Sequence, residues 1–232
     1  MSNILMIVTG ANSLTMKDGS EHPTGFWAEE LVTAHRDLVA AGHEVTIATP
    51  GGVAAPVDRG SLDPSQTGGE DAARELAEYL DSIAAELAAP ADIAAIDPGS
   101  YDAVVLPGGH GPMTDLAFDA NVGRVLVAAN EAGTIIAPFC HGPAALLSAK
   151  LTDGSNAFAG RRLTVFTDEE ERTGGTGEQT PWWVETALRD AGAVIESAAP
   201  WSDHVVVDGN LITGQNPQSS ASVARRVIDA LA

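Results

Sequence analysis

The feature that most constrains this chain is an alternation. Short β-branched apolar runs, each closed by glycine or proline, take turns with longer segments of helical spacing. Residues 3–9 read as a buried strand ended by Thr9-Gly10, and Glu44 to Thr49 as a second, ended by Pro50-Gly51-Gly52. Tyr101 to Leu106 runs into Pro107-Gly108-Gly109, and Thr134 to Phe139 runs straight into the lone cysteine. Residues 162–167 and 193–197 read as further strands. Helical patterns fall at 26–41, stopped by Gly42, at 70–89, at 121–132, stopped by Gly133, at 141–150, at 181–191 and at 217–231. His204 to Val207, an Asp208-Gly209 turn and Asn210 to Thr213 read as a hairpin. Such alternation predicts an α/β, doubly wound, mostly parallel sheet with helices on both faces, a flavodoxin-like sandwich. In sheets of this kind ligands sit at the carboxyl ends of the strands.

The chain of 232 residues reads as a single domain, 1–232. Residues 50–97 read as an insertion or lid within it, since they hold too few large apolar residues for a core of their own. No apolar run approaches the ~18–20 residues of a membrane span, and no basic segment precedes the first strand, so neither an anchor nor a secretory signal is expected. The formal charge is −20, from 12 basic and 32 acidic residues, which argues against nucleic acid and anionic membranes as partners. With one cysteine, Cys140, an intramolecular disulfide and a cysteine-rich zinc site are both excluded. A cytoplasmic protein is expected.

Four stretches can carry chemistry. Ile135-Ile136-Ala137-Pro138-Phe139-Cys140-His141-Gly142-Pro143 has the strand–turn–helix context of a nucleophile elbow. A thiol there sits at a helix start, where the dipole favours the thiolate, and His141 can act as its base. Pro107-Gly108-Gly109-His110-Gly111 can turn backbone N–H groups toward an oxyanion. Glu29-Glu30 lies on the first helix; a carboxyl buried beside the thiol would be protonated and able to shuttle a proton, but periodicity alone does not choose between the pair. Asp168-Glu169-Glu170-Glu171 can supply the acid that orients His141. No G-x-G-x-x-G or Walker sequence is present, no cofactor is implied, and the histidines show no metal-ligand spacing, so no metal is expected.

Taken in order, five motifs resemble the DJ-1/PfpI superfamily, with its class I glutamine-amidotransferase-like fold, and within it the heat-inducible chaperone and glyoxalase III branch. They are Thr24-Gly25-Phe26-Trp27-Ala28-Glu29-Glu30, Pro107-Gly108-Gly109-His110-Gly111, Cys140-His141-Gly142-Pro143, Phe166-Thr167-Asp168-Glu169-Glu170-Glu171 and Leu211-Ile212-Thr213-Gly214-Gln215-Asn216-Pro217. The resemblance implies Cys140 as nucleophile, His141 beside it in a triad, and Glu30 as the carboxylic acid touching the thiol. It implies Glu171 as the acidic partner, with Glu170 the alternative, and Gly109 and His110 as oxyanion donors. The activity implied is glutathione-independent conversion of methylglyoxal to D-lactate, with deglycation of early glyoxal adducts on the same residues. It also implies a small aldehyde or ketoaldehyde as substrate, and a homodimer. A stress-responsive holdase chaperone or a cysteine oxidation sensor is the alternative. An amidotransferase is disfavoured, because no His-x-Glu pair follows Cys140. Three departures from the branch stand out: Ala34 where proline is common, Phe139 before the cysteine, which predicts a narrowed pocket, and Thr164-Val165 before Phe166. The Gly-rich segment 172–180 matches nothing legible.

Overall fold

The computed structural model describes residues 1–232. β1 (Asn3–Ile7) leads to a small hairpin, β2 (Ser13–Thr15) and β3 (Glu21–Pro23), then to α1 (Ala28–Ala40) and β4 (Glu44–Thr49). After β4 come α2 (Pro64–Thr67), α3 (Glu70–Ser82), α4 (Ala84–Ala88) and β5 (Ala91–Asp92). β6 (Ala103–Leu106), α5 (Ala120–Ala132) and β7 (Ile135–Pro138) follow. The last third holds β8 (Arg162–Leu163), α6 (Asp168–Gly174), α7 (Val184–Asp190), β9 (Val194–Ile195), β10 (Val205–Asp208), β11 (Leu211–Gly214) and α8 (Ser220–Leu231).

Seven strands form one sheet in the order β10-β11-β7-β6-β1-β4-β5, parallel throughout except for β10. The chain winds outward from β1 through β4 to β5, then returns to β6 and winds the other way. The reversal between β1 and β6 opens a crevice at their carboxyl ends. Alternate residues of β1 serve opposite faces, as strand geometry requires. Ile4 and Met6 join a core with α1 and α8, which includes Leu31, Leu38, Val223 and Val227. Leu5 and Ile7 join a second core with α5 and α7, which includes Val122, Leu126 and Leu188. Both faces of the sheet are therefore covered, as a parallel sheet demands.

Residues 50–97 contribute to this frame. Leu76, Leu80 and Ile83 enter the α1 core, and β5 extends the sheet beside β4. No helix is long and apolar enough to cross a membrane.

Three local expectations need correction. The segment after Cys140 is a 3₁₀ helix, Gly142–Ser148, and not the start of an α-helix. The Asn156 amide takes the Leu146 carbonyl at 2.7 Å, a carbonyl that an α-helix would have used itself. The strand expected over 162–167 is regular only at Arg162–Leu163, and it pairs with β9 outside the main sheet. Beyond it the backbone donors turn elsewhere: Thr164 N–H to the Thr213 hydroxyl at 2.9 Å, and Phe166 N–H to the Cys140 carbonyl at 2.9 Å. The hairpin is shifted by one residue. Asp208 pairs with Leu211, so the two-residue loop is Gly209-Asn210, with Gly209 at φ +58°. Asp208 is held back in its strand because its carboxylate accepts Arg161 Nε at 2.9 Å and Arg162 N–H at 3.0 Å.

Candidate active site

At the end of β7 the backbone turns sharply, and Cys140 adopts φ +55°. A side chain in that region costs on the order of 1–3 kcal/mol unless its surroundings impose it. They do so here with two bonds: Cys140 N–H donates to the Gly214 carbonyl at 3.0 Å, and the Cys140 carbonyl accepts Phe166 N–H. The strain turns the thiol away from the sheet into the crevice between β1 and β6.

One wall of the crevice comes from α1. Glu30 is completely buried, and its Oε2 accepts the Gly108 N–H at 2.6 Å. Its Oε1 has no nitrogen or oxygen partner; the Cys140 thiol is the polar group that acts on this carboxyl. Burial pushes the Glu30 carboxyl up to about 8. Burial, reinforced by a neighbouring Glu30 carboxylate, likewise pushes the Cys140 thiol up. Burial and Glu30 thus oppose the thiolate that the elbow's helix start was expected to favour. Placed together in a dry site, the two acids readily carry one negative charge between them and resist a second. The backbone that links them needs glycine. A Cβ on Gly108 would stand 2.6 Å from the His141 amide nitrogen, and Gly109, at φ +90°, would collide with the Gly25 carbonyl.

The opposite wall comes from α6. His141 Nδ1 lies 3.3 Å from Cys140 Sγ, and its Nε2 lies 2.7 Å from Glu171 Oε2. The His110 ring offers its Nε2 to the other oxygen, Glu171 Oε1, at 3.0 Å. Thr176 N–H donates to that same oxygen at 2.7 Å, and the Thr176 and Thr180 hydroxyls approach it at 3.1 and 3.2 Å. Burial alone would raise Glu171, but the hydrogen bonds from His110 and His141 outweigh it and hold the carboxyl well below its ordinary range. Burial, with His110 alongside, holds the His141 imidazole below its ordinary range. The pair is thus a neutral imidazole on an ionised carboxylate. The proton on Nε2 goes to Glu171, and the Nδ1 lone pair is left facing the thiol.

These walls enclose a cavity of about 210 Å³, room for a small molecule or the end of a side chain. Trp27, Glu29, His110, Phe166 and Trp201 line it around Cys140, and no lysine or arginine does. Glu29 stands at this cavity, half-buried and raised by that burial. Gly109 N–H is directed at Cys140, next to where an oxyanion would form.

The structure thus brings Cys140, His141, Glu30, Glu171, Gly109 and His110 into one crevice. Of the two acidic pairs, Glu30 faces Cys140 and Glu171 faces His141. Glu170, equally buried, is turned away: it closes a capping box with Thr167 and ties down Trp201 N–H at 2.8 Å and Asn216 at 2.9 Å. Phe139 does not narrow the pocket as expected; it is buried in the α1–α8 core. Sequence reasoning missed three features. The His110 side chain shares Glu171, where only its backbone was anticipated. The illegible segment 172–180 supplies Thr176 and Thr180 to the same carboxylate. Trp201 closes the cavity from a loop that carries no motif.

The chain is similar along its length to known proteins. The chain is 27% identical over 242 residues to "Glyoxalase 3" of Candida albicans, covering 99% of this chain and 98% of that one. It is 29% identical over 233 residues to "Protein/nucleic acid deglycase HchA" of Pseudomonas aeruginosa, covering 96% and 78%. The solved structure of the Francisella tularensis Rapid Encystment Protein 24 KDa superposes with a TM-score of 0.86 at 28% identity, covering both chains fully. The DJ-1/PfpI family model matches residues 23–230, and with the elbow, crevice and sheet order described above, the chain belongs to the DJ-1/PfpI family.

Proposed function

We propose that this protein is a cysteine-dependent, glutathione-independent glyoxalase that converts methylglyoxal to D-lactate, with deglycation of early glyoxal adducts as a related reaction. The observation that carries the reading is Glu30, a buried carboxyl raised to about 8 beside the only thiol. An isomerisation of this kind needs a group that can both give and take a proton near neutral pH.

The steps follow from the two walls. With the shared proton on Glu30, the Cys140 thiolate attacks the aldehyde carbon and forms the C–S bond. Glu30 passes its proton to the new alkoxide, near Gly109 N–H, giving a hemithioacetal and leaving Glu30 as a carboxylate. That carboxylate removes the C1 proton as the proton of the C1 hydroxyl passes to the C2 oxygen, giving an enediolate. Return of the proton from Glu30 to C2 gives the lactoyl thioester. Water, deprotonated by His141 Nδ1 as Glu171 stabilises the imidazolium, attacks the thioester carbon; the C–S bond breaks, the imidazolium returns its proton to the departing sulfur, and the thiol and lactic acid, which ionises to lactate, are released. No step requires an external thiol. The names of the Candida and Pseudomonas relatives support both halves of the proposal, and the small cavity supports a small carbonyl substrate.

The test is D-lactate formation from methylglyoxal without glutathione. Wild type is expected to turn over, and Cys140→Ala to lose at least roughly 10⁴-fold in kcat/KM. Undiminished D-lactate from Cys140→Ala would refute the reading.

A further inference from the structure

A second cluster of donors lies beside the Cys140 centre and shares only His110 with it. His22 on β3, Asp58 in the loop after β4 and His110 after β6 each place one donor atom within 4.8 Å of the others. Asp58 and His110 are buried, and the His22 ring, half-buried, meets the His110 ring edge-on with centroids 5.9 Å apart. The backbone builds this convergence. Phe26 bridges Val57 in parallel fashion, and Asp58 is positioned by Gly60 N–H at 2.8 Å and the Thr24 hydroxyl at 3.2 Å.

The valences of these groups are incomplete. His110 uses Nε2 for Glu171, so its Nδ1 carries a lone pair with no hydrogen bond. The His22 ring makes no hydrogen bond. No lysine or arginine lies in ion-pair contact with the Asp58 carboxylate. A buried carboxylate flanked by two imidazole lone pairs is a nitrogen–nitrogen–oxygen donor set, the kind that borderline divalent metals take.

We propose that His22, Asp58 and His110 form a binding site for a divalent transition metal of the zinc(II) class at the rim of the catalytic crevice. Tetrahedral zinc needs donors roughly 3.3 Å apart, given bonds of about 2.0–2.1 Å. Closing up from separations of as much as 4.8 Å falls to His22, which sits on a two-stranded hairpin and has no hydrogen bond to surrender. Glu171 behind His110 is the outer-sphere carboxylate that metal-bound histidines usually have. The rival set His110, His141 and Glu171 is also close enough to bind an ion. To do so, it would have to displace the Nε2 protons already bonded to Glu171. A metal on Nδ1 instead fixes His110 in the tautomer that donates to Glu171, and so ties the metal to the order of the catalytic wall. The net charge of −20 raises the local concentration of cations.

The test is titration of the metal-free full chain with zinc against a chromophoric chelator. One zinc per chain is expected for wild type. His22→Ala is expected to weaken binding by more than the roughly 10–100-fold that loss of an outer-sphere partner costs, and Asp58→Asn by at least about 10-fold. Cys140→Ala and His141→Ala are expected to change the affinity by less than about threefold, since neither is a ligand. Cobalt in place of zinc should give visible d–d bands with no thiolate-to-metal charge transfer. Zinc should raise the thermal midpoint of wild type and not that of His22→Ala. Wild type that binds no zinc, unchanged affinity in His22→Ala, or a cobalt–thiolate band would each overturn the proposal. Should His22→Ala unfold, His22→Asn and the wild-type cobalt spectrum decide the question.

Discussion

The two walls of the crevice hold the same functional group under opposite physics. Glu30 on α1 is completely buried and takes one backbone N–H, so its charge is unwelcome and its carboxyl is raised to about 8. Glu171 on α6 is almost as buried, yet two histidines and Thr176 donate to it, and it stays ionised. Burial is common to both, so burial does not decide the charge. The number of donors aimed at the oxygens does. A site with one proton-carrying and one charged carboxylate can run acid and base steps together, which is the general logic of paired carboxylates.

Exchanging each acid for its amide breaks the comparison most directly. Glu30→Gln and Glu171→Gln are both expected to lose kcat, Glu30→Gln by roughly 10²–10⁴-fold because the proton shuttle is gone. Their stabilities should move in opposite directions. Glu30 binds its proton more tightly folded than unfolded, so its cost is absent below the ordinary carboxyl value of 4.5 and grows as pH rises toward about 8. Glu30→Gln should therefore gain on wild type across that window, by at most about 1.4 kcal/mol per pH unit. Glu171 is depressed, so its contribution is present above its unfolded value and lost as pH falls through the folded one. Glu171→Gln should cost about 2–4 kcal/mol near neutrality and less in acid. Urea unfolding of the three proteins at about pH 5 and about pH 8 checks both signs; a shared sign would undo the contrast between the walls.

A pH profile sharpens the same point. kcat/KM for methylglyoxal should rise up to about pH 8 as the Glu30–Cys140 pair gives up its first proton, and that limb should move in the residual activity of Glu30→Gln. A smaller effect is expected at the other wall. Thr180→Val removes one of the hydroxyls near Glu171 Oε1 and should cost about 1 kcal/mol in stability, with a modest loss of kcat. The smallest effect belongs to Glu29, whose half-buried carboxyl lines the cavity, where no lysine or arginine stands. Glu29→Gln should lower KM for a carboxylate-bearing aldehyde such as glyoxylate by roughly threefold to tenfold. The value for methylglyoxal, which is neutral, should hold.

Much of this molecule follows from local chemistry. The β1, β4, β6 and β7 runs, the Gly42 and Gly133 helix stops and the turn into Cys140 are written in short-range patterns, since strand burial and left-handed glycine turns depend on a few neighbouring residues. The sequence by itself therefore determined the α/β sheet, the elbow and the shortlist of acids. Tertiary structure decided which acid of each pair mattered. Glu29 and Glu30 are neighbours on one helix, as are Glu170 and Glu171 on another, and periodicity separates neither pair by function. Glu30 is chosen because α1 meets the β6 turn at Gly108. Glu171 is chosen because Thr176 and Thr180 arrive from the segment after α6 and His110 from the turn after β6, while Glu170 is claimed by Asn216 and Trp201. Charge state followed the same rule: the elbow predicted a stabilised thiolate, but desolvation by residues distant in sequence raised the thiol instead. The physical reason is range. Propensity acts over a few residues, whereas solvation and hydrogen-bond supply at a buried atom are set by whatever the whole fold brings within a few ångströms.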